Sequence, residues 1–215
     1  MKKALLFVLP IAVLIATPSD ALAEYTVCTG VLVGVHDGVI VPPGATCVMA
    51  AATVRGNVKA LEDSRLDITD STIGGNLDGN GADSVKAMHS TVEGNIHIRQ
   101  GGPALPPPGI DSAVFLQFVN VPNGNIHIQK MTGRVQVVDN DVPNGHIKIE
   151  DNNITDFLEV GRNQVGHNLH AFRNTGGGAK FVWQNIVQDM ISCTNNDPPF
   201  FGGLNVASKY KGQCF

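Results

Sequence analysis

Charged and aromatic residues are scarce in this sequence. Asp, Glu, Lys and Arg make up 16% of its 215 residues, and the chain has only two Tyr residues and one Trp residue. The net charge of −4 argues against a nucleic-acid-binding protein, because such proteins use a basic surface to neutralise phosphates. The hydrophobic content of 43% is high enough for a sizeable core, which argues against disorder.

No motif of a known catalytic or metal site is present. The chain lacks a nucleophile elbow, a P-loop, a Cys-x-x-Cys pair and a His-Glu-x-x-His helix. The N-T-D, D-D, G-H-G and R-I-K patterns of polygalacturonases are also missing. The acidic candidates that remain are Asp139, Asp141, Glu150, Asp151, Asp156 and Glu159. We therefore expect no catalytic residues, no metal and no cofactor, and we favour binding over catalysis.

A long apolar run occurs only at the beginning of the chain. Lys2 and Lys3 precede an apolar stretch at residues 4–16, and Ala21 and Ala23 are small residues before a cleavage point. This pattern predicts a signal peptide over residues 1–23 and a single mature domain over residues 24–215. Because no second apolar run follows, we expect a secreted or periplasmic protein without a membrane anchor.

The chain contains an internal repeat anchored on the apolar residue that follows Gly-Asn. The clear anchors are Val58, Leu77, Ile96 and Ile126, and weaker copies occur at Val39, Ile147, Leu169 and Ile191. The steps between these anchors are 19, 19, 19, 30, 21, 22 and 22 residues. The long step contains a Pro-rich segment at residues 101–111, which we interpret as a loop inserted into one coil.

Within each unit the apolar residues alternate with polar ones, as they do in β-strands. Three short extended segments per unit, with Gly and Asn at the corners, predict one coil of a parallel β-helix. We predict about eight such coils in a right-handed solenoid. Residues predicted to point into the coils are Leu66, Ile68, Val85, Val135, Val137, Leu158 and Val160. A leucine-rich-repeat-like solenoid is the alternative, but half of each unit shows no helical spacing.

Asparagines recur at the corners of these coils, where stacked amides can hydrogen-bond from coil to coil. One predicted column contains Asn57, Asn76, Asn95 and Asn125, and the other contains Ser71, Ser90, Asn120, Asn140, Asn163 and Asn185.

The four cysteines fit the same register. Cys28 and Cys47 both lie 11 residues before an anchor, and Cys214 lies one unit beyond Cys193. Neighbouring strands are about 4.8 Å apart, which is within the Cα separation that a disulfide tolerates. We therefore predict the disulfides Cys28–Cys47 and Cys193–Cys214, with free buried thiols as the alternative.

These motifs resemble a family of secreted bacterial right-handed β-helix proteins that are mostly described as uncharacterised. The family is built of V-x-G-N-[VIL] coils, with a C-T-G start at residues 28–30, a G-A-T-C segment at residues 44–47 and a G-Q-C end at residues 212–214. The resemblance covers residues 28–214 and implies fold and export but no activity. We expect Phe200, Phe201 and the second disulfide to cover one end of the solenoid, so that the protein is a monomer.

The best functional candidate is an outward face of the solenoid. Residues one and three positions after each anchor point outward on one sheet. On neighbouring coils these positions are His97, Arg99, His127, Gln129, Lys148, Glu150, His170 and Phe172. Mixed hydrogen-bonding groups on a flat sheet suit a polysaccharide or a cell-surface partner, and a polysaccharide-active lyase or hydrolase is the alternative function. An ordinary solvated face with histidines by chance explains the same pattern.

Overall fold

The computed structural model describes residues 25–102 and 113–214. They form an all-β solenoid of about nine turns, in which the strands pair in parallel. The described residues contain no helix, so the structure is a parallel β-helix and not a leucine-rich-repeat horseshoe. The predicted signal peptide and residues 103–111 of the predicted insertion lie outside the described residues.

Sheet 1 of the solenoid consists of the strands that carry the repeat anchors and one further strand at each end. From the N-terminal coil onward they are β1 (Tyr25–Val27), β3 (Gly38–Val41), β5 (Val58–Ala60), β8 (Leu77–Asn80), β11 (Ile96–Arg99), β13 (Ile126–Gln129), β16 (Ile147–Glu150), β19 (Leu169–Phe172), the second half of β21 (Ile186–Thr194) and the second half of β23 (Val206–Gly212). The register agrees with the sequence alignment, because Leu77 pairs with both Val58 and Ile96.

Sheet 2 follows the first corner of each coil. Its strands are β2 (Val31–His36), β4 (Thr46–Val54), β6 (Arg65–Thr69), β9 (Ser84–Met88), β12 (Val114–Gln117), β14 (Val135–Val138), β17 (Phe157–Gly161), β20 (Ala179–Trp183) and β22 (Phe201–Gly203).

Sheet 3 is short and closes each coil. It consists of β7 (Thr72–Ile73), β10 (Thr91–Val92), β15 (Asp141–Val142) and β18 (Gln164–Val165), together with the ends of β2 and β4 and the beginnings of β21 and β23. The first and last coils have no Gly-Asn anchor, which is why the sequence repeat predicted about eight coils.

The core is a continuous column of apolar side chains inside the coils. All seven residues predicted to point inward are at most 1% exposed: Leu66, Ile68, Val85, Val135, Val137, Leu158 and Val160. Lys180 is the exception to the apolar pattern, because it pairs with Leu158 and is fully buried. Its ammonium group donates hydrogen bonds to the carbonyls of Gly176, Gly178 and Asp197, at 3.1, 3.2 and 2.9 Å.

Asparagine side chains join consecutive coils at the corners. Asn140 donates both its backbone N–H and its side-chain amide to Asn163 Oδ1 at 3.0 Å, and Asn163 donates in the same way to Asn185. The first predicted column is confirmed by the bonds that link Asn57, Asn76, Asn95 and Asn125. The prediction for Asn120 is wrong. This residue is exposed, and its neighbour Val119 occupies the ladder position and donates its N–H to Asn140 Oδ1 at 3.0 Å.

The two predicted disulfides are both present. Cys28–Cys47 joins the first two coils with a Cα separation of 5.5 Å, and Cys193–Cys214 joins the last two with a separation of 5.3 Å. Loops of 19 and 21 residues correspond to roughly 3 kcal/mol of stabilisation each in the chain-entropy model. Two disulfides indicate an oxidising extracellular compartment.

Candidate functional site

The eight predicted site residues lie side by side on sheet 1, and we call this surface the histidine face. One outward column runs through His97, His127, Lys148 and His170, and the other runs through Arg99, Gln129, Glu150 and Phe172. The alternation that predicted the buried core therefore also placed these side chains on adjacent strands. Their contacts divide the face into two halves.

The C-terminal half of the histidine face is organised around Glu150. This carboxylate is only 5% exposed and accepts hydrogen bonds from Lys148 Nζ at 2.6 Å and from His127 Nε2 at 2.7 Å. Burial raises the pKa of Glu150, but the hydrogen bonds from Lys148 and His127 outweigh it and hold the pKa below its ordinary value. Glu150 is therefore an ionised carboxylate that is already occupied by its neighbours.

Arg173 adds a second layer to this half, and the sequence analysis missed it. It forms two hydrogen bonds with the Asp151 carboxylate, at 2.6 and 2.9 Å, and lies 3.4 Å from Glu150 Oε2. Its guanidinium carbon is 4.3 Å from the centre of the Phe172 ring, and Lys148 Nζ is 5.2 Å from the same centre. The aromatic residue of this face is thus covered by cations of the protein itself.

The N-terminal half of the histidine face is more open. Arg99 is exposed, and the rings of His97 and His127 meet edge to face with their centres 5.3 Å apart. Burial lowers the pKa of His97 and the charge of His127 lowers it further, although Asp78 opposes both effects. Among the described residues no three His, Cys, Asp or Glu side chains are grouped closely enough to hold a metal ion.

A second candidate surface lies on sheet 2, and we call it the aromatic depression. It is an open hollow of about 450 Å³ lined by Phe157, Glu159, Phe181 and Trp183. The Trp183 indole lies against Gly161, where an added Cβ would be 2.7 Å from the indole Nε1. Glycine at this position therefore lets the indole lie flat on the sheet, where Nε1 donates a hydrogen bond to Glu159 Oε1 at 2.9 Å.

Two arginines form the rim of the aromatic depression. The Arg162 guanidinium carbon is 4.6 Å from the centre of the Trp183 ring, and Arg162 binds both oxygens of Asp139, at 2.6 and 2.8 Å. Arg134 lies 4.5 Å from the centre of the Phe157 ring. Phe181 keeps an exposed ring, with 38% of its surface accessible. The depression thus combines a partly open aromatic floor with charged edges.

The sequence contained a signal for this second surface. Phe157-x-Glu159 on β17 and Phe181-x-Trp183 on β20 alternate with inward residues, so the four side chains share one outward face. The outward-face prediction used only the positions after the Gly-Asn anchors, and these strands lie on the next sheet. The hydrogen bond from the Trp183 indole to Glu159 joins two coils, so it depends on tertiary packing and not on strand alternation.

The comparisons with known proteins found no match. No family model, curated protein or solved structure is similar to this chain at a significant level. In the described parts of the chain no helix is long and apolar enough to cross a membrane. The physical features of the two surfaces therefore carry the functional argument.

The acidic residues of both surfaces are engaged by groups on neighbouring coils. A hydrogen bond from Arg162 lowers the pKa of Asp139, and one from Arg173 lowers the pKa of Asp151. A general acid in glycoside cleavage needs the opposite, a carboxyl group with a raised pKa. Asp139 and Asp151 are therefore not suited to be that general acid, and their bonds to Arg162 and Arg173 join neighbouring coils.

Proposed function

We propose that this protein is an exported, non-catalytic binding protein whose ligand is a polysaccharide. The observation that carries the proposal is the aromatic depression, where open aromatic rings surround a fixed carboxylate on a rigid sheet. Its exposed apolar floor is a feature that soluble proteins usually reserve for contact with a ligand or partner.

The chemistry of the depression matches that of a sugar ring. The C–H bonds of a pyranose carry partial positive charge and pack against the negative face of an aromatic ring such as Phe181. Sugar hydroxyls can donate to Glu159, because each carboxylate oxygen has more than one lone pair. Gln136 Nε2 and the Trp183 indole each donate to one oxygen of Glu159, at 3.2 and 2.9 Å, and so hold the acceptor in place.

The shape of the depression favours a polymer over a small molecule. A small ligand is usually bound in a cavity that buries most of its surface, whereas this hollow is shallow and open. The aromatic surface also continues along the solenoid axis, because the rings of Phe181 and Phe201 are 6.3 Å apart between centres. An extended chain can therefore contact successive coils, and the rigid strands lower the ordering cost of binding.

The proposal includes the location and family expected from the sequence. An oxidising compartment agrees with removal of residues 1–23 and with release to the periplasm or medium. Membership of the secreted bacterial β-helix family rests on the terminal motifs and the Gly-Asn coils.

A glycan array followed by calorimetry on the best ligand tests the proposal. Phe181→Ala should weaken binding by about 2- to 12-fold, which corresponds to about 0.5–1.5 kcal/mol for an aromatic contact. Phe115→Ala is the matched control, because Phe115 is in the same outward column three strands away. We expect this control to bind like the wild type.

Three results would contradict the proposal. They are the absence of any glycan binding, equal losses in the Phe181 and Phe115 variants, and release of reducing ends from a bound glycan. The last result would favour the alternative of a polysaccharide-active lyase or hydrolase.

A further inference from the structure

The outward side chains of sheet 3 differ between the terminal coils and the middle coils. In the outward column of sheet 3, Val35 at the N-terminal end is 61% exposed, and Ile186 and Val206 at the C-terminal end are 56% and 60% exposed. The residues between them are all polar: Thr53, Thr72, Thr91, Asn120, Asp141 and Gln164. Within residues 25–102 and 113–214, apolar residues therefore occur in this column only in the terminal coils.

Sheet 2 has apolar residues at the same two ends. Val31 on the first coil is 76% exposed, and Phe201 on the last coil is 60% exposed. Phe200 is buried, as expected for a residue that covers the end, whereas Phe201 is exposed and lies beside Phe181 in the outward column. The expectation that both phenylalanines close this end is thus only half correct.

Both ends also present unpaired strand edges within the described part of the chain. Strands β1 and β2 pair only with β3 and β4, and strands β22 and β23 pair only with β20 and β21. Each terminal strand therefore has backbone N–H and C=O groups directed along the solenoid axis without a strand to receive them. The two disulfides fix these terminal coils to their neighbours, which lowers the cost of ordering the edges.

We infer that the N-terminal coil of one copy stacks on the C-terminal coil of a second copy, head to tail. The strand columns then continue from one copy into the next, with Val31 beside Phe201 and Val35 beside Val206 of the other copy. This assembly takes the predicted leader, residues 1–23, as removed. It goes beyond the proposed ligand binding and does not depend on it.

The shape of the ends identifies a second copy as the occupant. A single extended peptide can pair with one strand edge, whereas another coil offers all three edges at the same spacing. In a head-to-head pair, the three sheets follow one another around the axis in opposite directions in the two copies. Fewer strand edges of one copy then meet the corresponding edges of the other. A tail-to-tail pair brings together the exposed Lys209 and Lys211 of both copies, whereas residues 25–36 contain no Asp, Glu, Lys or Arg.

Head-to-tail contacts of this kind do not close on themselves. Each added copy presents the same free end as the one before it, so the product is a linear assembly. The aromatic depressions of successive copies are then displayed along one line.

Sedimentation velocity over a range of concentrations tests this inference on the secreted form with both disulfides formed. The wild type should form species larger than a monomer as its concentration rises. Val35→Lys and Val206→Lys should each reduce the association constant at least tenfold. Thr72→Lys is the matched control, because it adds the same charge to the middle of the same column, and it should associate like the wild type.

A mixing experiment determines the direction of stacking. Val35→Lys and Val206→Lys should each remain largely monomeric alone but form a one-to-one dimer when mixed, because the unmodified C-terminal end of the first meets the unmodified N-terminal end of the second while the two modified ends both carry lysine and repel each other. A wild type that stays monomeric up to its solubility limit would overturn the inference. It would also be overturned by an equal loss in the Thr72 variant, by a lack of complementation on mixing, or by a loss with only one of the two end variants.

Discussion

His146 accepts a hydrogen bond at Nδ1 from the backbone N–H of Asn168, with 3.2 Å between the two nitrogens. It occupies the next place in the ladder formed by Asn57, Asn76, Asn95 and Asn125, because its own N–H donates to Asn125 Oδ1 at 2.9 Å. A backbone N–H can only donate, so Nδ1 of His146 must be unprotonated in this arrangement. The link between these two coils therefore requires a neutral imidazole.

This requirement makes the stability of the solenoid sensitive to acid. Burial lowers the pKa of His146, and the charge of His167 lowers it further, while Asp189 has a smaller opposite effect. The unfolded chain thus takes up the proton first, so the free energy of unfolding should fall as the pH decreases from about 6.5 towards the folded pKa. His146→Asn should reduce this loss, because asparagine does not titrate there.

Urea unfolding at a series of pH values measures the effect. His97 and His170 also have lowered pKa values because of burial, so part of the pH dependence should remain in the variant. His36→Asn at the N-terminal end is a suitable comparison, since it removes a histidine outside the ladder. Identical pH profiles for the wild type and His146→Asn would show that this bond does not control acid stability.

The buried asparagine ladder should contribute more to stability than its surface counterparts. Asn163 is fully buried, and its removal leaves the N–H of Asn140 and the carbonyl of Val137 without their partners. Each unsatisfied buried group costs about 1–3 kcal/mol, so Asn163→Ala should lower the free energy of unfolding by about 2–6 kcal/mol. Asn144→Ala at an exposed corner should cost under about 1 kcal/mol. If chemical denaturation shows similar losses of unfolding free energy for Asn163→Ala and Asn144→Ala, the buried ladder has no special role in stability.

The sequence predicted the parts of this structure that repeat. The Gly-Asn anchors located the strands of sheet 1, and the spacing of Cys28 and Cys47 located the disulfide that connects the first two coils. Alternation also placed His97 and Glu150 outward on the same sheet. These features depend only on the period of the repeat and on the two-residue alternation of strands.

Features that depend on lateral contacts were not predictable in this way. The pattern placed Glu150 outward but gave no indication that its neighbours would bury it to 5% exposure. The Asn120 error arose because the 30-residue step gives no fixed count across the insertion, so the alignment was displaced by one residue. A second buried ladder runs from Asn152 through Asn174 to Asn196. It was not predicted, because no recognised repeat anchor marks these positions.

Lys180 should stabilise the C-terminal coils through its three carbonyl partners. Lys180→Met preserves most of the side-chain volume but removes every donor to Gly176, Gly178 and Asp197, so we expect a loss of about 1–3 kcal/mol for each carbonyl that water cannot reach. Lys211→Met on the exposed last strand should have little effect. Thermal denaturation of both variants makes the comparison, and an unchanged or higher stability for Lys180→Met would mean that apolar packing outweighs these bonds.

The histidine face should separate into residues that affect binding and residues that affect stability. Arg99 is exposed and Gln129 is half-buried beside it, so replacing both with Ala should change the free energy of unfolding by no more than about 0.5 kcal/mol. His127→Ala should be more destabilising, because the buried Glu150 carboxylate loses a hydrogen bond of 2.7 Å.

If this face contacts the ligand, the double Arg99 and Gln129 variant binds more weakly with its stability intact. Asn80→Ala, in the same column one strand away, controls for a general surface effect. Wild-type affinity in the double variant would leave the aromatic depression as the surface to which the ligand binds.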